Sequence, residues 1–164
     1  MTLKRWVTLA MLAGIALTIY LVEAQIPTPL PIPGVKLGLA NIVTLLVLAR
    51  FGPRDALTVL LVRIVLGSIF AGQIISFFYS LAGGLLCLLV MLLALRLLGT
   101  RQLWAVSVFG AIAHNIGQLA VAVFLTNLGI LWYAPALFAA AIVTGVFTGI
   151  AAQAVLKHIP KGKI

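Results

Sequence analysis

From Trp6 to Val22 the chain carries no charged side chain, and five more apolar stretches follow, each ended by charge, glycine or proline. A helix of the first length rises about 25 Å, close to the ~30 Å hydrocarbon thickness of a bilayer. This punctuation limits the fold more than any other feature. Charged residues make up 8% of the 164 positions and mean hydropathy is +1.29, against the roughly 25% charge that keeps a soluble domain in water. Lipid, not water, has to solvate such a surface.

The runs predict an all-α integral membrane domain of six transmembrane helices, at residues 6–23, 34–49, 55–72, 74–98, 103–125 and 134–156. Val22-Glu23-Ala24 loosely resembles a signal cleavage site, but the run before it exceeds a usual signal core, so a retained helix is expected. Phe51-Gly52-Pro53-Arg54-Asp55 forms a turn, with Asp55 placed to open or cap helix three. Six spans put both termini on one side, and the charges agree. Lys4, Arg5, Arg50, Arg54, Arg96, Arg101, Lys157, Lys161 and Lys163 fall there, Lys36 opposite, and Arg63 inside. Nine basic residues against one place the termini on the cytoplasmic side. The net charge of +9 follows from topology and attraction to anionic lipid, so no nucleic-acid partner is expected. The lone Cys87 leaves no disulfide within the chain.

Pro27, Pro29, Pro31 and Pro33 stand at every second position. None can continue a helix, so residues 25–33 read as an extended external strap near polyproline II. Ile26, Leu30 and Ile32 make it apolar, either a lid lying over something or an ordinary connector. After it, Gly34, Gly38 and Asn41 fall at i, i+4 and i+7 on the expected second helix.

Arg63 is the sharpest signal of chemistry, because a cation near the bilayer centre is costly unless paired or wetted. Asp55 lies ~12 Å away along the same helix, and Glu23 belongs to the external end of helix one. Arg63 is therefore expected to use carbonyls, polar side chains, water or an anionic ligand, with Gly67 one turn away clearing room. His114 and Gln118 share a face at i, i+4, and Asn115 adjoins it; these groups either glue helices together or, with Asn41 and Lys36 nearer the surface, line an outward polar cavity. Ser76, Ser80, Gly83, Gly84 and Cys87 make a small-residue stripe on helix four, and Ala141, Gly145, Gly149 and Gln153 one on helix six. Ala10 and Gly14 form a small-xxx-small face suited to close approach of another helix. No nucleotide-loop, metalloprotease or serine-hydrolase motif is present, and two acids are too few for paired-carboxylate or magnesium chemistry. No catalytic residue, metal site or cofactor is expected.

Pro33-Gly34-Val35-Lys36-Leu37-Gly38-Leu39-Ala40-Asn41-Ile42 resembles the signature of a bacterial membrane family labelled heptaprenyl diphosphate synthase component I, also called Gx transporters. The helix count, long first loop and outward polar pocket also resemble the substrate-binding S components of energy-coupling-factor vitamin transporters. Those proteins bind substrate externally beneath the first loop and meet a transmembrane coupling protein, driven by two ATPases, through small residues of helix one. The resemblance implies that Ala10 and Gly14 face such a partner and that the strap is the lid, and it leaves the ligand open; with Arg63 inside, a small anionic or amphipathic molecule is expected. Prenyl synthases resemble one another in Asp-rich magnesium motifs, which this chain lacks. The family label then implies a non-catalytic subunit beside a prenyl synthase, or a redox partner in quinone-linked extracellular electron transfer, which some relatives serve.

Overall fold

The structure, a computed structural model, describes residues 3–26, 36–72 and 74–158. Most of the proline strap, the Gln73 link, Lys161 and Lys163 lie outside these residues. Six α-helices account for most of the described chain: α1 (Leu3–Glu23), α2 (Asn41–Phe51), α3 (Pro53–Ala71), α4 (Ile74–Leu98), α5 (Leu103–Leu125) and α6 (Ala134–His158). Among the described residues there is no strand. Five helices begin and end within two or three residues of the sequence expectation.

The second does not. It starts at Asn41, and residues 36–40 approach it as non-helical chain. Gly38 has φ +82°, a left-handed conformation that glycine adopts without steric cost, so Gly38 and Asn41 do not share a helical face; Gly34 lies outside the described residues. The eleven residues of α2 rise only about 16 Å, about half a bilayer core. Four helical segments are long and apolar enough to cross a membrane, spanning α1, α4, α5 and α6. α2 is too short, and α3 carries Arg54, Asp55 and Arg63.

Short connections set the packing. Gly52 alone joins α2 to α3, with φ +101°, and Pro53 occupies the first turn of α3, where its missing N–H is not needed. Gly72 ends α3 in the left-handed region. Between α4 and α5 a 3-10 turn, Thr100–Gln102, follows Gly99. Between α5 and α6 a second one, Leu128–Tyr133, is capped by Asn127, whose Oδ1 accepts the Gly129 N–H at 2.8 Å. Trp132 on this turn is 87% exposed, as suits a headgroup boundary.

α5 is the centre of the bundle, with its most extensive interfaces against α4 and α6. Both are glycine seams. A methyl group at Gly117 would lie 2.7 Å from the Ala82 carbonyl oxygen, and one at Gly145 2.7 Å from the Val108 Cα. At the seam to α6, Ser107 and Thr148 exchange a hydrogen bond of 2.9 Å. The small-residue stripe of α4 is buried throughout, as are Ala141, Gly145 and Gly149 of α6. On the other side α1 packs on α3 and α2. Arg5 ties them at the end where the chain begins, holding Asp55 Oδ2 through Nε at 3.0 Å and the Phe51 carbonyl through Nη2 at 3.4 Å. Asp55 thus sits in the first turn of α3 and also clamps α1. The outside of the bundle is apolar: Phe70, Leu97, Phe124, Val143 and Phe147 are all exposed. Polar groups gather inside.

Candidate functional site

Along α1 the buried positions run Leu9, Ala13, Ala16, Tyr20, Glu23, a 4-3-4-3 spacing that keeps one stripe facing the core. Its last two members open the polar cluster. Tyr20 is 1% exposed and lays its ring against α3 at Gly67, where an added methyl would come 2.6 Å from Tyr20 Cε1. The room expected at Gly67 is therefore occupied by Tyr20. The Tyr20 hydroxyl shares hydrogen bonds with Ser76 Oγ at 3.0 Å and Ser80 Oγ at 3.5 Å on α4.

Two cations lie over this ring. Lys36 Nζ is 3.2 Å from its centroid and Arg63 Cζ 5.6 Å. Attraction to the π face contributes about 2 kcal/mol where water is excluded. Glu23 completes the group. Its carboxylate is buried and within electrostatic reach of both Lys36 and Arg63, which corrects the expectation that no acid serves Arg63. By its position along the sequence, Glu23 belongs to the external end of helix one. In the structure Glu23 turns inward, and the chain at residues 36–38 covers it. Its Oε1 accepts the Gly38 N–H at 2.6 Å.

From α5, Gln118 Nε2 and His114 Nε2 are 2.8 Å apart, so the i, i+4 reading holds. Gln118 Oε1 accepts the main-chain N–H of Lys36 at 3.3 Å. The His114 ring is wedged between glycines: added methyls at Gly38 and Gly83 would lie 3.0 Å and 2.9 Å from its carbons. Arg63 is within electrostatic reach of His114. Asn41 is buried at the start of α2, next to Gly38. Of the six residues expected at a ligand site, Lys36, Asn41, Arg63, His114 and Gln118 come together. Asn115 does not, since its Nδ2 donates to the Leu137 carbonyl at 2.8 Å and binds α5 to α6.

Tyr20 and the role of Glu23 were missed. The 4-3-4-3 spacing of α1 would have found Tyr20 and Glu23, because it puts both on the Ala13–Ala16 face. The cluster holds two basic side chains and one carboxylate. Among the described residues of the cluster, Lys36 Nζ, Arg63 Nε and Nη2 and both side-chain polar atoms of Asn41 have no hydrogen-bond partner. Buried polar groups are normally satisfied, so this concentration of free donors marks a place for a polar ligand or ordered water. Ala10 and Gly14 stand apart, exposed on α1 with nothing within 4 Å of a methyl added at Gly14.

Comparison with curated proteins and with solved structures returns no match. The sequence pattern of the family described as heptaprenyl diphosphate synthase component I matches residues 12–155. That span runs from α1 through the last turns of α6 and includes every residue of the polar cluster, and the chain belongs to this family.

Proposed function

We propose that the chain is a non-catalytic membrane subunit that takes a small anionic or amphipathic molecule into the cluster around Tyr20 and acts with a partner protein. The observation that carries the reading is the buried charge count: Lys36 and Arg63 share one carboxylate, Glu23, and present unpartnered donors. An anionic group would balance that charge and accept those hydrogen bonds. The experiment is mass spectrometry of small molecules released from the purified chain and from Arg63→Gln. The variant should lose the retained molecule while its unfolding free energy stays within about 1 kcal/mol, because Lys36 remains within electrostatic reach of Glu23. A variant that keeps the same molecule at the same occupancy would overturn the reading.

Two partner classes have separate support. The exposed, open surface at Ala10 and Gly14 favours a transmembrane coupling protein driven by ATPases, the arrangement of energy-coupling-factor S components. The words "component I" in the family description favour a prenyl synthase partner. The nine-to-one distribution of basic residues supports six spans with both termini inside, in the bacterial cytoplasmic membrane. In a Cys87→Ser background, an impermeant thiol reagent should label Asn127→Cys from outside and spare Thr100→Cys; the reverse pattern would invert the orientation.

A further inference from the structure

The charge of the Tyr20 cluster is set by Lys36, Arg63, Glu23 and His114. The first two are buried cations and Glu23 is the one carboxylate, and no charged residue stands between Glu23 and Lys36 in the sequence. The other acid of the chain, Asp55, stands in the first turn of α3 and holds Arg5. His114 adds no charge. Gln118 Oε1 accepts the Lys36 N–H, so Gln118 Nε2 is the donor of its 2.8 Å contact and His114 Nε2 the acceptor. An imidazole nitrogen that accepts carries no proton, and such a ring is neutral. The cluster is left with one positive charge in excess. A monoanion cancels it, whereas a phosphate dianion or a diphosphate would replace it with a buried negative excess.

The free donors narrow the monoanion further. On Arg63 the unpartnered nitrogens are Nε and Nη2. Their N–H bonds run parallel along one edge of the guanidinium, spaced to meet two oxygens carried on one atom. A carboxylate gives each N–H its own oxygen, while a halide has to serve both with a single atom. Lys36 Nζ, over the same Tyr20 ring as Arg63, has no hydrogen-bond partner either. It can supply a further donor to the remaining lone pairs of a carboxylate.

We propose that the molecule taken into this cluster is a monocarboxylate, seated side-on against Nε and Nη2 of Arg63 with Lys36 as a further donor. This rests on the reading of the cluster as an anion site and narrows it to one chemical class. The test uses three probes built on one ring: benzoate, phenylphosphonate and the uncharged benzamide. Each is titrated into the full-length chain in an uncharged detergent, at a mildly alkaline pH where phenylphosphonate is a dianion. Sodium chloride at matched ionic strength gives the baseline, and heat and unfolding temperature are read. Benzoate should bind at least about tenfold more tightly than phenylphosphonate, with no binding of benzamide.

Three variants locate the effect. Arg63→Lys keeps the charge and removes the paired N–H edge, and should weaken benzoate by at least about tenfold. Asn41→Asp, nearly isosteric and buried beside Gly38, cancels the excess charge and should abolish benzoate binding. Arg96→Gln removes an exposed cation from the last turn of α4 and should bind benzoate like wild type. Phenylphosphonate binding as tightly as benzoate overturns the carboxylate assignment and leaves the anion site standing; binding of no anion overturns both. The assignment also fails if chloride or benzamide matches benzoate, if benzoate binding survives Arg63→Lys or Asn41→Asp, or if Arg96→Gln loses it.

Discussion

The two halves of this bundle are held together in different ways. Around α5 the contacts are between backbones: Gly117 against Ala82 and Gly83 of α4, Gly145 against Val108. Around α1 and α3 they are between long side chains and a non-helical segment: Tyr20 on Gly67, Lys36 over Tyr20, Glu23 on the Gly38 N–H. The first half has no slack, because a glycine seam fixes interhelical distance to a few tenths of an ångström. The second half has groups that turn about several bonds, and unpartnered donors that a ligand or water can satisfy. Rigid support sits beside an adaptable site.

The sharpest way to break this comparison is at Gly117. A leucine there drives a side chain into the Ala82 carbonyl and the Gly83 Cα, and neither backbone can yield without parting α4 from α5. We expect no folded protein, a loss well above the usual 1–3 kcal/mol of overpacking; a variant that purifies with native helix content would mean the seam is soft. Next comes Glu23→Gln, which leaves Lys36 and Arg63 facing each other without a counter-charge. Its unfolding free energy should fall by about 3 kcal/mol, more than for Arg63→Gln, measured by thermal or denaturant unfolding in detergent. Equal effects would remove Glu23 as the shared partner. The smallest effect on stability belongs to Ala10→Leu with Gly14→Leu, below about 0.5 kcal/mol as for exposed sites generally, because both positions face outward. The same pair should abolish recovery of a membrane partner by co-purification, and normal recovery would take α1 out of the interface.

The same division explains what could be read before the structure. The boundaries of α4 and α5 and the small-residue faces of α4 and α6 follow from spacing, because contacts between regular helices repeat with the helical period. His114 with Gln118 is legible for that reason. Asn115 was legible only as polar, since spacing does not say which neighbour takes an adjoining face. The start of α2 was not legible. Pro33 permits a helix to begin behind it, and the signal against one is the backbone conformation of Gly38, which a sequence does not display. Glu23 and Tyr20 were undervalued because depth was judged along each helix separately, whereas the chain at residues 36–40 brings polar backbone down among them.

That late start of α2 has a spatial consequence. A helix rising about 16 Å fills only half the thickness that α4 or α5 covers, and something else must occupy the remaining column. In this molecule the column holds a non-helical segment whose main-chain N–H groups at Lys36 and Gly38 are donated to Gln118 and Glu23. Irregular backbone is tolerated at such depth only when enclosed by protein, and the enclosing side chains are those of the polar cluster. The polar cluster occupies the column left by a truncated helix, so its depth is set by the residue at which α2 begins. Moving that residue by one turn would shift the edge of the cluster by about 5 Å without altering a single one of its side chains.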